Sequence, residues 1–201
     1  MNGFDTTFIS HILNPKFIMP TLIRDCEATL IPSGEEVLLQ KSSIYSVKQA
    51  LGESVTLANE LGLFRVAKEN LDALGEDGTT LAAQLDAQAA EAEDIDHGNF
   101  SEDQLWDALK KCYDPEIPVN IVDLGLIYDL QHEAQENGQH NINVKMTLTA
   151  QGCGMGPVIA DDARQNLEAL ATVSTADVEI VWDPPWNPHM ISEIGRQKLG
   201  M

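Results

Sequence analysis

Short apolar runs separated by turn residues fill the chain from about residue 20 to residue 72. The runs have the length of β-strands, and glycine or proline stands between most of them. Strands are expected at 27–31, 37–40, 46–51, 54–58 and 63–66. Short strands repeated at this spacing predict a small β-rich domain over residues 20–72, which follows an N-terminal tail over residues 1–19.

The second half of the chain alternates between helical and strand periodicity. Ser101 and Gln104 form a capping-box pattern, and apolar residues then recur at helical spacing as far as Cys112. Apolar and polar residues alternate from 141 to 149, as in a strand with one buried face. Helices are expected at 102–112, 157–170 and 190–199, and strands at 124–130, 141–149 and 178–182.

This order of elements predicts the fold class. The order α-β-β-α-β is typical of an α+β domain, here over residues 100–201, with helices on one face of a three-stranded sheet. A small N-terminal, mainly-β unit precedes it. A chain of 201 residues is long enough to form a core in each of these two parts.

A segment of different composition, residues 73–99, connects the two parts. Positions 76–98 hold seven acidic residues and no lysine or arginine, and six alanines lie within 82–92. Alanine favours a helix, but the acids repel one another and few large apolar residues are available for burial. We expect an acidic, Ala-rich linker or solvated helix, which serves either as a spacer or as a docking arm for a basic partner.

Charge and cysteine content exclude several function classes. The chain has 12 basic and 32 acidic residues and a formal net charge of −20, so neither nucleic acid nor an anionic membrane is expected as a partner. No apolar run approaches the roughly 20 residues that span a bilayer, and no basic stretch precedes the N-terminal apolar residues as in a signal peptide. Three widely spaced cysteines indicate no disulfide framework and favour a reducing, cytoplasmic environment.

Cys153 is the first candidate for chemistry, because it stands where a strand is expected to end and a helix to begin. The free N–H groups and the dipole at a helix start stabilise a thiolate. Gly152, Gly154 and Gly156 allow the backbone to come close to a bound group. A thiolate binds soft metals and iron–sulfur clusters. The alternative is a small buried cysteine beside glycines that serve only the turn.

Asp114, Glu116 and Asp123 are candidate supporting acids. Asp114 and Glu116 flank Pro115 in a loop, and their carboxylates would serve the site if this loop folds towards Cys153. The alternative is helix termination and turn formation. Asp123 lies in an apolar run and needs a hydrogen-bond partner if it is buried. The chain has neither a phosphate-binding loop nor the nucleophile elbow of serine hydrolases.

The residues around these candidates resemble those of a known family. Residues 102–201 are similar to the PaaD-like metal–sulfur cluster assembly family, through the stretches 114–129, 146–155 and 181–186. The segments 24–28 and 31–34 are similar to the extra N-terminal region of the SufT type within this family. The resemblance implies an α/β sheet domain and a non-catalytic role in the maturation of iron–sulfur proteins.

The resemblance also implies a site, a cargo and partners. It places the reactive, metal-ligating cysteine at Cys153, between Gly152 and Gly154, and the acids of the family at Asp114 and Glu116. A transiently bound iron–sulfur cluster is expected, with assembly or carrier proteins, client apo-proteins and a second copy of the chain as partners. Since a cluster takes about four thiolate ligands, one cysteine needs help from another chain or a small thiol. A metal-free adaptor between scaffold and clients, and a thiol-dependent enzyme, are the alternatives.

Overall fold

The computed structural model of the protein describes residues 18–91 and 100–201. Nearly all of the expected tail, residues 1–19, and the last part of the acidic segment, residues 92–99, lie outside the described residues. Within the described residues, a five-stranded and a three-stranded sheet form, each with helices beside it. The α+β fold class predicted from the order of elements is confirmed.

Five antiparallel strands form the N-terminal sheet. They are β1 (Cys26–Ile31), β2 (Glu35–Leu39), β3 (Ser46–Leu51), β4 (Ser54–Asn59) and β5 (Gly62–Ala67). Their order in space is β2-β1-β5-β4-β3, so β2 and β3 are the edge strands and β1, β5 and β4 lie in the interior. The strands lie where the apolar runs predict them, with ends that differ by one or two residues.

A 3-10 helix, Lys68–Leu74, and helix α1, Glu76–Glu91, cover one face of this sheet. Leu81 and Leu85 of α1 are buried, and together with strand residues such as Val55 and Leu57 they form the N-terminal core. Residues 76–91 of the acidic segment, expected as a linker or a solvated helix, therefore form a helix with one buried stripe. Two leucines one turn apart anchor it, while Glu76, Asp77 and Asp86 are exposed.

The C-terminal part follows the predicted order α-β-β-α-β and ends in a short helix. Its elements are α2 (Glu102–Lys110), β6 (Ile127–Ala134), β7 (His140–Met146), α3 (Gly156–Glu168), β8 (Val173–Ile180) and α4 (Glu193–Leu199). Strand β7 is central, antiparallel to β6 and parallel to β8. The predicted capping box of Ser101 and Gln104 is present at the start of α2. Across the described residues no helix has the length and apolar character that a membrane crossing requires.

The alternating pattern of β7 decides where the C-terminal core lies. Ile142, Val144 and Met146 are buried against α2 and α3, and the residues between them face outward. Strand β6 begins at Ile127, three residues later than predicted, because the chain before it is held in a turn by the hydrogen bond from Leu126 N–H to the carbonyl of Ile121. Strand β8 is longer than predicted, since it pairs with the whole of β7.

The second face of the N-terminal sheet carries a row of polar side chains. Gln49, Thr56 and Arg65 lie directly opposite one another on β3, β4 and β5, and we call these three residues the polar row. Thr56 is a polar residue, yet its side chain is buried on the interior strand β4. A buried hydroxyl needs a hydrogen-bond partner, and the C-terminal part supplies one.

The uncharged members of the polar row bind the backbone of a loop that follows α2. The side-chain amide of Gln49 donates to the carbonyl of Asp114 at 3.2 Å. The hydroxyl of Thr56 donates to the next carbonyl, that of Pro115, at 3.3 Å. Two consecutive carbonyls of an irregular loop are thereby satisfied by side chains of the N-terminal sheet.

The charged member of the row, Arg65, binds Asp162 on α3 with an N–O distance of 2.5 Å. Their side chains are only 11% and 24% exposed. Burial raises the pKa of Asp162 above its ordinary value, although the charge and hydrogen bond of Arg65 act against this rise. Arg65 is therefore the group that makes an ionised Asp162 tolerable at this interface.

Replacement of Arg65 by methionine, Arg65→Met, is expected to lower the free energy of unfolding by about 3 kcal/mol at neutral pH, because it leaves a buried carboxylate without its counter-ion. The pKa of Asp162 lies above its ordinary value and rises further in the variant. The loss in free energy of unfolding is therefore complete above the pKa of Asp162 in the variant, and it shrinks as falling pH protonates this carboxyl group. Urea unfolding between about pH 4 and pH 8 measures both effects.

Lys68→Met is the matched control for this prediction. Lys68 pairs with Asp86 and Glu53, whose side chains are 66% and 42% exposed, so its removal is expected to cost less than about 1 kcal/mol. Equal losses in the two variants, or a loss in Arg65→Met that does not change with pH, would contradict the role assigned to Arg65.

Candidate functional site

The turn between β7 and α3, residues 147–155, carries Cys153. The side chain is half-buried, and the residue lies two positions before Met155, the N-cap of α3. Its N–H donates to the carbonyl of Ala150 at 3.4 Å, and its own carbonyl accepts the N–H of Gly156 at 3.3 Å. The backbone on both sides of Cys153 is therefore fixed, and the thiol stands beside the first turn of the helix.

Gly152 in this turn and Gly156, the first residue of α3, have different surroundings. Gly152 is exposed and has a φ of +84°, and a Cβ built on it would have, apart from its two neighbours in the chain, no atom of the described residues within 4 Å. A Cβ on Gly156 would come within 2.6 Å of a methyl carbon of Leu148. Gly152 thus leaves open space beside Cys153, whereas Gly156 lets α3 pack closely on the sheet.

Gly154 is the point at which the N-terminal part reaches the cysteine turn. Its N–H donates to the carbonyl of Pro32 at 3.0 Å. A Cβ on Gly154 would lie 1.9 Å from the carbonyl oxygen of Ser33, and one on Gly34 would lie 2.1 Å from the carbonyl oxygen of Gly154. Gly154 therefore allows the backbone of the cysteine turn to lie close to the β1–β2 turn of the same chain.

The loop with the predicted acids Asp114 and Glu116 is fixed by a local hydrogen bond and by the polar row. One carboxylate oxygen of Asp114 accepts the N–H of Glu116 at 2.8 Å. Burial raises the pKa of Asp114, although this hydrogen bond acts against the rise. Glu116 is exposed. Within residues 18–91 and 100–201, no hydrogen bond or ion pair joins the side chain of Cys153 to either acid.

Asp123 binds the C-terminal segment of the chain. Its carboxylate accepts hydrogen bonds from the hydroxyl of Ser192 at 2.9 Å, the amide of Asn120 at 2.8 Å and the ammonium of Lys198 at 3.3 Å. Burial acts to raise the pKa of Asp123, but these donors together hold it below its ordinary value. The structure thus brings Asp123 together with α4, and its part in the site stays a prediction.

The three cysteines differ in burial. Cys26 and Cys112 are 0% and 2% exposed, and burial raises the pKa of both thiols, that of Cys112 to about 12. The side-chain amide of Asn166 also donates to the sulfur of Cys112 at 3.2 Å. Cys153 is half-buried, and its sulfur has no hydrogen-bond partner among the described residues. It is therefore the thiol that reagents and partners can reach.

The residues that hold the site in place were not found from the sequence patterns. Arg65 carries a usable signal, since an arginine inside the apolar strand β5 indicates an acidic partner elsewhere. Gln49 and Thr56 carry no such signal, because polar residues on a strand are ordinary on a solvated face. The contact of Gly34 with Gly154 joins two turns far apart in the chain and cannot be inferred from either turn alone.

The cysteine turn and the acidic loop lie in the region that matches known proteins. A family model described as iron-sulfur cluster assembly protein matches residues 102–180. A Bacillus subtilis protein named Fe-S protein maturation auxiliary factor YitW is 38% identical over 99 residues, which are 49% of this chain and 93% of that protein. This chain belongs to the iron-sulfur cluster assembly protein family. The family resemblance drawn from the motifs around Asp114 and Cys153 is thereby confirmed.

Two further proteins each match about half of this chain. Fe-S protein maturation auxiliary factor SufT of Staphylococcus aureus is 38% identical over 88 residues, which are 44% of this chain and 96% of that protein. The crystal structure of a domain of unknown function from Bacillus anthracis is 37% identical, with a TM-score of 0.45, and covers 50% of this chain and 92% of its own. The family model begins at residue 102, so the N-terminal sheet lies outside the residues that it matches.

In the folded protein, Cys153 is expected to react with iodoacetamide at least about a hundredfold faster than Cys26 or Cys112, whose alkylation requires local opening. Timed quenching followed by mass spectrometry of the three cysteine peptides gives the three rates. In about 6 M guanidinium chloride, where the chain is unfolded, all three are expected to react at similar rates. Similar rates in the folded protein would contradict the burial described above.

The substitution Asp123→Asn is expected to lower the free energy of unfolding by about 2 kcal/mol at neutral pH, since it removes charge-assisted hydrogen bonds to Ser192 and Lys198. Because the folded-state pKa of Asp123 is below its ordinary value, this stabilisation is present above the ordinary pKa. It is lost as pH falls through the lowered value. Urea unfolding of both proteins at neutral and acidic pH measures how far the difference in their free energies of unfolding shrinks.

Asp177→Asn, at an exposed position on β8, is the control for Asp123→Asn and is expected to leave stability unchanged. Both variants are expected to keep the wild-type alkylation rate of Cys153. A normal stability of Asp123→Asn combined with an altered alkylation rate would show that Asp123 acts on the site rather than on α4.

Proposed function

We propose that this chain is a non-catalytic auxiliary factor in the maturation of iron–sulfur proteins, in which Cys153 contributes a thiolate ligand to a cluster in transit. The observation that carries the proposal is the presentation of one reachable thiol at a strand-to-helix turn, inside the residues that the family model matches. The names of the relatives, Fe-S protein maturation auxiliary factors, support it. The cluster is cargo in this proposal, and no bond of a substrate is broken.

One thiolate supplies only one of the ligands that an iron–sulfur cluster requires. Iron–sulfur clusters are held by about four thiolate ligands. No group of three or more His, Cys, Asp or Glu side chains in residues 18–91 and 100–201 is arranged to hold a metal ion. The other ligands therefore come from the Cys153 of a second copy, from small thiols, or from cysteines of a carrier or client protein. Such mixed ligation leaves the cluster exchangeable, as transfer requires.

The surroundings of Cys153 suggest the direction from which a cluster approaches. Gly154 is covered by the β1–β2 turn, whereas Gly152 is exposed and has open space in place of a side chain. A cluster with its partner ligands therefore reaches the sulfur from the side of Gly152. Asp114 supports the site indirectly, through the N–H of Glu116 and the shape of the loop.

The proposed partners are proteins of iron–sulfur assembly, cluster carriers and client apo-proteins. A formal net charge of −20 favours docking on a basic protein surface and opposes contact with nucleic acid. All three cysteines are free, which fits a reducing compartment, and we place the protein in the cytoplasm.

Anaerobic reconstitution with iron and sulfide tests the proposal. The wild-type protein is expected to take up iron and sulfide and to develop visible absorption, whereas Cys153→Ser is expected to take up little of either. Cys26→Ala is the matched control, because its thiol is buried in the other core, and it is expected to behave as the wild type. Gel filtration of the reconstituted protein shows whether two copies share the cluster.

Equal iron and sulfide contents in wild type and Cys153→Ser would overturn ligation by Cys153. The proposal also fails if neither protein binds a cluster and both activate a client apo-protein equally well. The second result would identify the chain as a metal-free adaptor.

A further inference from the structure

We infer that the β1–β2 turn, residues 32–34, is a positioning element for Cys153. This turn belongs to the N-terminal sheet, outside the residues that the family model matches, yet it touches the cysteine turn backbone to backbone. The inference rests on the proposed function only in taking Cys153 as the working thiol.

The contact acts on Cys153 through a peptide plane. The N–H of Gly154 belongs to the same planar peptide unit as the carbonyl of Cys153. When Pro32 accepts that N–H at 3.0 Å, the orientation of the Cys153 carbonyl is fixed as well. The carbonyl in turn accepts the N–H of Gly156, the first residue of α3. The hydrogen bond that Gly154 donates to Pro32 of the N-terminal part therefore helps to fix the backbone that carries the thiol.

The β1–β2 turn is itself rigid enough for this role. The N–H of Gly34 donates to the carbonyl of Leu30 at 2.9 Å, and the hydroxyl of Ser33 donates to the same carbonyl at 3.3 Å. The hydroxyl oxygen of Ser33 also accepts the N–H of Glu35 at 3.3 Å. The turn thus keeps its shape without help from the cysteine turn.

Two anchors hold the β1–β2 turn against the C-terminal part. Ile31, directly before the turn, is 5% exposed and is packed in the C-terminal core rather than in the core of its own sheet. Arg65, on the strand that pairs with β1, binds Asp162 on the helix that follows Cys153. The contact between the turns therefore lies next to one apolar anchor and one charged anchor. A movement of the N-terminal sheet relative to the C-terminal part would break the contact between the turns, the packing of Ile31 and the ion pair of Arg65 together.

The space between the turns leaves no room for a side chain. Gly34 has a φ of +75°, and a Cβ on it would lie 2.1 Å from the carbonyl oxygen of Gly154, a distance that van der Waals radii forbid. Pro32, Gly34 and Gly154 are thus positioning residues, which act on the thiol through backbone contacts alone. They also close one side of Cys153 and leave the side of Gly152 as the route to the sulfur.

The pair Gly34→Ala and Gly138→Ala separates positioning from backbone strain. Gly138 has a φ of +83°, close to that of Gly34, so both variants incur similar left-handed strain. Apart from its two chain neighbours, a Cβ on Gly138 would meet no atom of the described residues within 4 Å. Only Gly34→Ala pushes the two turns apart. The measurement is the iodoacetamide alkylation rate of each of the three cysteines at neutral pH, followed by peptide mass spectrometry.

Gly34→Ala is expected to raise the alkylation rate of Cys153 by about tenfold, because the released turn opens more often. The rates of Cys26 and Cys112 are expected to change less than that of Cys153, since their exposure requires opening of a core rather than of this turn. Gly138→Ala is expected to stay within about twofold of the wild-type rate at Cys153. An unchanged or lower rate in Gly34→Ala, or the same rise in Gly138→Ala, would overturn the inference.

Ser33→Gly provides a second test if Gly34→Ala does not fold. This variant removes the hydroxyl that bonds to Leu30 and Glu35 and introduces no clash, so it loosens the turn without displacing it. A rise of about threefold in the alkylation rate of Cys153 is expected, and no rise would count against the inference. Alkylation involves neither iron nor sulfide. Failure of the reconstitution experiment would therefore leave these results unaffected.

Discussion

The backbone contact between the β1–β2 turn and the cysteine turn is the constraint on which the arrangement of the two parts depends. Two polypeptide backbones can approach this closely only where neither carries a side chain, and Gly34 and Gly154 meet that condition together. The hydrogen bond from Gly154 to Pro32 fixes the distance and the orientation of the approach. The N-terminal sheet therefore has one position relative to Cys153, and the other contacts of the interface are compatible with that position.

The polar row follows from what the N-terminal sheet has to cover. One face of the sheet packs on α1 and is apolar, but the other lies on an irregular loop and donates hydrogen bonds to two of its carbonyls, those of Asp114 and Pro115. An unpaired buried carbonyl costs about 1–3 kcal/mol, so an apolar face at this place would be unfavourable. Gln49 and Thr56 supply the donors, and Arg65 supplies the charge that a buried carboxylate on α3 requires. Polar and apolar side chains alternate along β4 and β5 because the two faces of the sheet contact different parts of the chain.

Local patterns in the sequence were enough to predict the elements but not their association. The alternation in β7, the capping box of α2 and the position of Cys153 between strand and helix depend on neighbours within a few residues, and the structure has all three. The buried stripe of α1 depends on a surface formed by distant strands, so Leu81 and Leu85 did not reveal it by themselves. Asp123 illustrates the same limit, because its partners Ser192 and Lys198 belong to the last helix.

The two parts of the chain contribute different features to the candidate site. The residues that match the family model supply the thiol, and the sheet that precedes them supplies part of its surroundings. Under the proposed function, a thiol on a fixed backbone incurs little ordering cost each time a cluster arrives. It also gains from one open side, because the remaining ligands arrive with another molecule. Rigid support at Gly154 and open space at Gly152 are therefore complementary features of the turn at which we propose that Cys153 ligates a cluster.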